Sequence, residues 1–141
     1  MRYFLGVDVG TGSARAGVFD AQGRLLGAEA SGLETYRPAA GFAQQASTEI
    51  WQAVVQAIRG AVTAAGVDPA AIVGIGFDAT CSLVVTGRAT ETAISVDPQS
   101  KPASNGAGQD VILWMDHRAQ GDAEAINAFG GAPLAHVGGR I

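Results

Sequence analysis

The sequence predicts an α/β fold in which a mixed β-sheet carries helices on its faces. The first 30 residues contain three short apolar runs separated by tight turns, a pattern typical of an antiparallel meander. An amphipathic helical segment follows, and after it come two further apolar runs and a second helical segment. Because a helix between strands indicates a crossover connection, we expect the sheet to include parallel pairs as well.

The first three strands are predicted at residues 3–8, 14–19 and 24–30. The first is a short apolar run that ends at Asp8, as expected for a buried strand. Turns that contain glycine separate the three runs. Such short turns leave no room for a crossover, so these strands should pair antiparallel.

One helix is predicted after a loop at residues 31–46. Apolar residues recur every fourth position and form a single stripe, with Trp51 beside it. The stripe consists of Ile50, Val54, Ile58 and Val62. Ser47 or Thr48 is the expected N-cap, and Gly66 follows the end of the helix.

Two more strands and one more helix are predicted in the second half of the chain. Strands at residues 72–77 and 111–114 flank a loop-rich segment at residues 86–110, which could contain one short strand. A helix over residues 118–129 would end at Gly130, and no element is predicted in the tail after it. The candidate core positions of this helix are Ala119, Ala123, Ile126 and Phe129.

The composition excludes several classes of protein. With 141 residues, 48% of them hydrophobic, the chain should form one domain with a real core rather than a disordered chain. No apolar run approaches ~18 residues, so we expect no membrane partner. The net charge of −4 and the lack of a basic cluster argue against nucleic acid. Cys81 stands alone and is expected to be a small buried side chain, and a cytoplasmic location is expected.

The first candidate site is the turn at residues 10–13. Its glycines allow backbone N–H groups to face outward and bind an anion, and Thr11 and Ser13 can add hydroxyl donors. Asp8, just before the turn, can hold a hydrated Mg²⁺ ion, which prefers one or two carboxylates plus water. A GxGxxG motif is excluded, since Arg15 stands at its last position. The alternative is an ordinary hairpin turn with a capping aspartate.

A second candidate site follows the fourth predicted strand. Asp78, Thr80 and Ser82 lie at the strand end and could hydrogen-bond a polyol. The alternative, which these residue types favour, is a simple capping turn.

The third candidate site is the segment at residues 114–118. The Trp114 ring could stack on a sugar, while Asp116 and Arg118 could hold its hydroxyl groups, with His117 between them. Alternatively, Asp116 caps the following helix and Trp114 belongs to the core, and the two interpretations are compatible. The carboxylates of Asp110, Asp122 and Glu124 are expected to be solvated.

Four segments, in order, resemble the FGGY carbohydrate kinases. Residues 4–20 (FLGVDVGTGSARAGVFD) resemble the first phosphate segment of that family, and residues 41–45 (GFAQQ), ahead of the predicted helix, resemble its next landmark. Residues 74–85 and 113–119 resemble its sugar-binding segments, most closely those of the ribulokinase branch and its D-ribulokinase-like members.

The resemblance implies a ribonuclease H-like domain of the class shared by actin, chaperone ATPases and sugar kinases, here incomplete. It also implies ATP and Mg²⁺ as cofactors, with Asp8 holding the ion through water. The residues that would wrap the transferred phosphate are Gly10, Thr11, Gly12 and Ser13, with Arg15 nearby. The residues that would face a ketose are Asp78, Thr80, Trp114, Asp116 and His117.

Members of this family are several times longer than this chain. Residues 1–141 are therefore expected to be part of the N-terminal kinase domain, with its catalytic base and a second domain beyond Ile141. The hypothesis is a parent kinase that phosphorylates a ketopentose such as D-ribulose or a related polyol. The chain alone should be inactive, and its exposed apolar surface could form homo-oligomers. The alternatives are a stand-alone phosphate- or sugar-binding module and an ATPase of the actin or chaperone type.

Overall fold

The computed structural model describes residues 1–88, 92–99 and 108–141. The strands are β1 (Tyr3–Val9), β2 (Ser13–Asp20), β3 (Leu25–Gly32), β4 (Gln44–Gln45), β5 (Ile72–Ala79), β6 (Leu83–Val84) and β7 (Val111–Ile112). The α-helices are α1 (Ser47–Ala65), α2 (Gln120–Phe129) and α3 (Ala132–Ala135), and a 3₁₀ turn covers Pro69–Ala71.

The main sheet has the strand order β3-β2-β1-β5. The strand β1 pairs antiparallel with β2, and β2 pairs antiparallel with β3. The pair β1 and β5 is parallel, because α1 carries the chain back between β3 and β5. The predicted mixed sheet with three antiparallel strands at its start is therefore confirmed.

Helix α1 covers one face of this sheet. Successive strand side chains point to opposite faces, so every second residue faces the helix. The buried core consists of Leu5, Val7, Ala14, Ala16 and Val18 from the sheet and Ala53, Val54, Ala57 and Ala61 from the helix. Trp51, expected beside this stripe, is 62% exposed. Four small side chains on the helix thus let α1 lie close to the sheet.

The backbone of helix α1 lies close against Gly27 of β3. A Cβ added to Gly27 would overlap the backbone nitrogen of Ala65 and lie 2.8 Å from the carbonyl oxygen of Ala61. A Cβ added to Gly60 on the helix would overlap the side chain of Glu29 on β3. Glycine is therefore required at both positions by the close approach of the two elements.

A second sheet has the order β4-β7-β6, and each of its strands has two residues. The central strand β7 pairs antiparallel with both neighbours. The sequence predicted a strand at residues 111–114 and none at the positions of β4 and β6. Two residues are too few to show an alternating apolar pattern, so these strands carry no readable signal.

A carboxylate from a distant part of the chain caps the start of α1. Asp110 is 1% exposed and accepts hydrogen bonds from the backbone N–H of Ser47 at 2.7 Å and from its hydroxyl at 2.6 Å. The residue at the N-cap position is Ala46, which makes no side-chain cap. The expected local cap at Ser47 or Thr48 is therefore wrong, and so is the expectation that Asp110 is solvated.

Several apolar side chains that were expected in the core are exposed. Helix α2 begins at Gln120 and has no buried residue, with Phe129 91% exposed, so its predicted core positions are wrong. Cys81 is exposed too. On β5, the helix-facing side chains of Ile75 and Phe77 are more than half exposed, because no described helix covers this edge of the sheet.

The remaining differences concern the loop and the tail. Thr86 and Ala93 form an isolated β-bridge within the predicted loop, of which residues 89–91 and 100–107 lie outside the described residues. The tail contains α3, an element that was not predicted. Among the described residues, no helix has the length and apolar character needed to cross a membrane.

Replacing Gly27 with alanine is expected to destabilise the chain by about 1–3 kcal/mol, because the added methyl group presses on the backbone of α1. Gly32→Ala is the matched control, since it lies in the same strand and has no atom within 4 Å of its added Cβ. It should change the unfolding free energy by less than about 0.5 kcal/mol. Urea denaturation followed by circular dichroism measures both, and equal stability of the two variants would contradict the close contact.

Candidate functional site

Three charged side chains share one face at the ends of three neighbouring strands. The register pairs Asp8 of β1 with Arg15 of β2 on one side and with Asp78 of β5 on the other. Residues paired in this way project from the same face of a sheet. Val7 and Ala16, which neighbour them in sequence, are buried under α1, so the charged side chains lie on the opposite, open face.

Asp8 and Arg15 form an ion pair, with the guanidinium Nη2 2.8 Å from the carboxylate Oδ2. Their side chains are 48% and 58% exposed, so the pair stabilises the fold by roughly 0–1 kcal/mol at most. An ion pair that is so easily opened leaves both groups available to a charged ligand.

A cavity of about 470 Å³ lies in front of these side chains. Its lining includes the three charged residues and a row of three glycines paired in register, Gly6, Gly17 and Gly76. The ring of Phe19 bounds it, because a Cβ added to Gly6 or Gly17 would contact that ring. Gly6 and Gly17 thus make room for the Phe19 ring, and the open space beside the carboxylates lies over Gly76, where an added Cβ would have no atom within 4 Å.

The turn between β1 and β2 is closed by a hydrogen bond from the N–H of Gly10 to the carbonyl oxygen of Ser13, at 3.0 Å. The N–H groups of Thr11 and Gly12 have no hydrogen-bond partner within the described part of the chain. Gly12 lacks a positive φ, and nothing lies within 4 Å of an added Cβ. Neither backbone conformation nor packing requires glycine there, so the open space is suited to an approaching ligand.

Three hydrogen bonds hold this turn from outside. The side-chain amide of Gln45 donates to the carbonyl oxygen of Thr11 at 2.8 Å, and the indole N–H of Trp114 donates to the Thr11 hydroxyl at 3.0 Å. The N–H of Leu33 donates to the carbonyl oxygen of Gly12 at 3.0 Å. Because the Thr11 hydroxyl accepts from Trp114, its own hydrogen is left to donate to an anion.

The carboxylate of Asp8 fits a hydrated magnesium ion, and the Asp78 carboxylate lies beside it. Mg²⁺ is usually bound by one or two carboxylates together with water and phosphate oxygens. The two carboxylates are neighbours in register and both reach solvent. The described residues contain no group of three or more His, Cys, Asp or Glu side chains able to hold a metal. An ion here would therefore take most of its ligands from water and substrate.

The residues expected to face a sugar are accessible, with one exception. Asp78 and His117 are exposed, and Trp114 is 59% exposed, so the alternative of Trp114 as a core residue is wrong. Thr80 is tied to β1 by its N–H, which donates to the carbonyl oxygen of Val9 at 3.1 Å. Strand β6 follows Thr80, β7 precedes Trp114, and the two strands pair, so both segments lie on neighbouring strands.

The exception is Asp116, whose side chain is 1% exposed. It accepts hydrogen bonds from the backbone N–H of Ala43 at 2.7 Å and from the backbone and guanidinium of Arg118 at 2.8–2.9 Å. Burial raises the pKa of this carboxyl, but the hydrogen bonds from Arg118 and Ala43 together lower it by a larger amount. The resulting pKa is about 2, below the ordinary value of 3.8. In contrast to the expectation, Asp116 presents no free oxygen to a ketose. It supports Arg118, and it does not cap α2.

Arg118 is held entirely by the protein. Besides Asp116, its guanidinium donates to the side-chain oxygen of Gln44 at 2.7 Å and to the carbonyl oxygen of Val96 at 2.9 Å, and it lies 4.3 Å from the ring centroid of Phe42. These contacts make it a structural residue rather than the hydroxyl-binding group that the sequence suggested. Sequence reasoning missed the buried glutamines that hold Thr11 and Arg118. The sequence marked Gln44 and Gln45 only as part of the family landmark at residues 41–45, without a role for either side chain.

Comparisons with known proteins show the family to which the chain belongs. Residues 3–134 match the FGGY family of carbohydrate kinases, N-terminal domain. The chain therefore belongs to the FGGY family of carbohydrate kinases. It is 44% identical to a D-ribulokinase of Saccharomyces cerevisiae over 99% of this chain and 19% of that protein. It is 28% identical to a glycerol kinase of Enterococcus casseliflavus over 95% of this chain and 24% of that protein.

A solved structure supports the fold. The xylulose kinase of Lactobacillus acidophilus superposes with a TM-score of 0.69 and 20% identity, over 89% of this chain and 22% of that one. The expected ribonuclease H-like, sugar-kinase fold, present in part, is thus confirmed. The chain spans about a fifth to a quarter of the length of the curated relatives it matches.

The Asp116→Asn variant is expected to lose stability in a pH-dependent way. The folded pKa of about 2 lies below the ordinary value of 3.8, so the ionised carboxylate stabilises the fold above pH 4 and this contribution disappears as the pH falls through 2. The difference from the unmodified chain should be roughly 2 kcal/mol or more at pH 6 and should shrink towards pH 2. Urea titrations between pH 2 and 7 measure it, with the exposed Asp122→Asn as control. A difference that does not depend on pH would contradict the assignment.

Proposed function

We propose that the complete protein is an ATP-dependent kinase that transfers the γ-phosphate to a hydroxyl group of a ketopentose similar to D-ribulose, or of a related polyol. The arrangement of Asp8, Arg15 and Asp78 beside an open glycine turn carries this proposal. The 44% identity to a D-ribulokinase favours a pentulose over glycerol, for which the glycerol kinase relative is 28% identical.

The turn is suited to hold the transferred phosphoryl group. The N–H groups of Thr11 and Gly12 and the Thr11 hydroxyl supply donors, with the hydroxyl of Ser13 and the Arg15 guanidinium beside them. Phosphoryl transfer depends mainly on positioning and on neutralising charge, which such donors provide. Asp8 would hold a hydrated Mg²⁺ through water, and the bound ion would neutralise charge on the phosphate oxygens.

The sugar is proposed to bind across two neighbouring segments, residues 78–82 and residues 114–118. Asp78 and Thr80 offer hydroxyl-binding groups, Trp114 offers an exposed ring for stacking, and His117 offers a second exposed polar group. Asp116 contributes indirectly by fixing the guanidinium of Arg118 within the same segment. General-base assistance to the attacking hydroxyl is proposed to come from outside residues 1–141, so this chain alone should not phosphorylate a sugar.

The proposed partner is a small sugar rather than nucleic acid or membrane, and the proposed location is the cytoplasm. The exposed apolar side chains of Ile75 and Phe77 are a candidate contact surface, either for a second copy in a homo-oligomer or for other parts of the complete protein.

A panel of D-ribulose, L-ribulose, D-xylulose and glycerol tests the activity directly. The full-length protein should consume ATP fastest with a pentulose, as measured by coupled ADP release. Asp8→Asn should lower kcat by about 100-fold or more, because the ion near the transferred phosphate loses its carboxylate. Turnover with none of the four compounds, under conditions where a known sugar kinase works, would overturn the proposal.

The Gly12→Ala variant separates ligand binding from folding. A methyl group at this position meets no protein atom but enters the space assigned to the phosphate, so kcat/KM for MgATP should fall about 10- to 100-fold with the melting temperature unchanged. Gly121→Ala in α2, which also has open space around its added Cβ, is the control and should retain full activity. Full activity of Gly12→Ala would show that the phosphate does not approach the turn.

A further inference from the structure

We propose that β4 connects the phosphate turn to the sugar-binding segment, and that Gln45 is the positioning residue that couples the two. This inference rests on the function proposed above and adds a role for a side chain that touches neither substrate. The strand β4 consists of Gln44 and Gln45 alone, and both are buried, with 0% and 3% exposure.

The two glutamines hold different parts of the site. Consecutive residues of a strand point to opposite faces, so the side chains leave β4 in opposite directions. The amide of Gln45 donates to the carbonyl oxygen of Thr11, in the phosphate turn. The side-chain oxygen of Gln44 accepts from the guanidinium of Arg118, at the end of the sugar segment, and its amide donates to Gln109 at 2.5 Å. One two-residue strand thus contacts both halves of the site.

The contacts of β4 and of Trp114 meet at Thr11 in the phosphate turn. β4 pairs with β7, and Trp114, two residues after the end of β7, donates its indole N–H to the hydroxyl of Thr11. Thr11 is therefore held by its carbonyl group from β4 and by its hydroxyl group from the segment after β7. The separation between the turn and Trp114 is fixed from two directions.

The presence of buried glutamines at positions 44 and 45 supports a positioning role. Burying an amide costs free energy unless its hydrogen bonds are made, whereas an apolar side chain would fill the same space without this cost. The Gln45 amide donates to the carbonyl oxygen of Thr11 and, at 3.4 Å, to the hydroxyl of Thr35, while the Gln44 side chain accepts from Arg118 and donates to Gln109. In-line phosphoryl transfer is sensitive to displacements of about 1 Å, so a rigid link between phosphate and acceptor sites favours turnover.

The variants Gln45→Glu and Gln45→Met in the full-length protein test this inference. The first keeps the shape but places a carboxylate against the Thr11 carbonyl oxygen, and the second keeps much of the volume without a donor. Both should lower kcat about 10- to 100-fold, with KM for the sugar changed much less. The exposed Gln52→Glu on α1 is the matched control and should behave as the unmodified protein.

Amide hydrogen exchange of the ligand-free full-length protein gives a readout that does not depend on activity. The hydrogen-bonded N–H groups of Gly10, which closes the turn, and Leu33, which donates to it, should exchange faster in Gln45→Met than in the unmodified protein, while the strands of the main sheet exchange at unchanged rates. Unchanged kcat, or unchanged exchange of the turn in folded Gln45→Met, would overturn the role of Gln45. If the unmodified protein phosphorylates no sugar, the proposed function fails, and the exchange measurement still decides whether Gln45 holds the turn.

Discussion

The site depends on the position of β1 between an antiparallel strand, β2, and a parallel strand, β5. Antiparallel pairing with β2 sets Arg15 opposite Asp8, and parallel pairing with β5 sets Asp78 on the other side. A slip of one residue in either register would turn one of these side chains to the α1 face, because the side-chain period of a strand is two. The buried residues Val7 and Ala16 under α1 fix that register, so the core determines where the charges lie.

Around this sheet, buried polar contacts hold the site segments, together with the buried apolar side chains of Ala43, Val111 and Leu113. Asp110 caps α1, Gln45 holds the turn, and Asp116 and Gln44 hold Arg118. Except for the local pair of Asp116 and Arg118, each contact joins residues separated by at least 34 positions in the sequence. No buried side-chain nitrogen or oxygen among the described residues lacks a partner. Networks in which every buried polar group has a hydrogen-bond partner favour a single arrangement of the loops. This rigidity suits a site whose function depends on the positions of its ligands.

The elements with a repeating pattern could be predicted from the sequence, and the contacts between distant residues could not. The four strands of the main sheet and α1 follow from apolar periodicity and turn residues. The cap from Asp110 lies 63 residues from Ser47, and nothing local marks it. The exposure of Phe129 and Trp51 shows the same limit, since an apolar stripe indicates a face without showing what covers it. For the site, the strand-end aspartates were visible as a pattern, whereas the enclosure of Asp116 required the positions of Ala43 and Arg118.

A crystal structure of the full-length protein with Mg²⁺, a non-hydrolysable ATP analogue and D-ribulose tests the central claim most directly. The account predicts that the terminal phosphate lies about 3 Å from the backbone nitrogen of Thr11 or Gly12, with the ion bound to Asp8 through water. A terminal phosphate bound elsewhere, with residues 10–13 covered by other side chains of the protein, would contradict it.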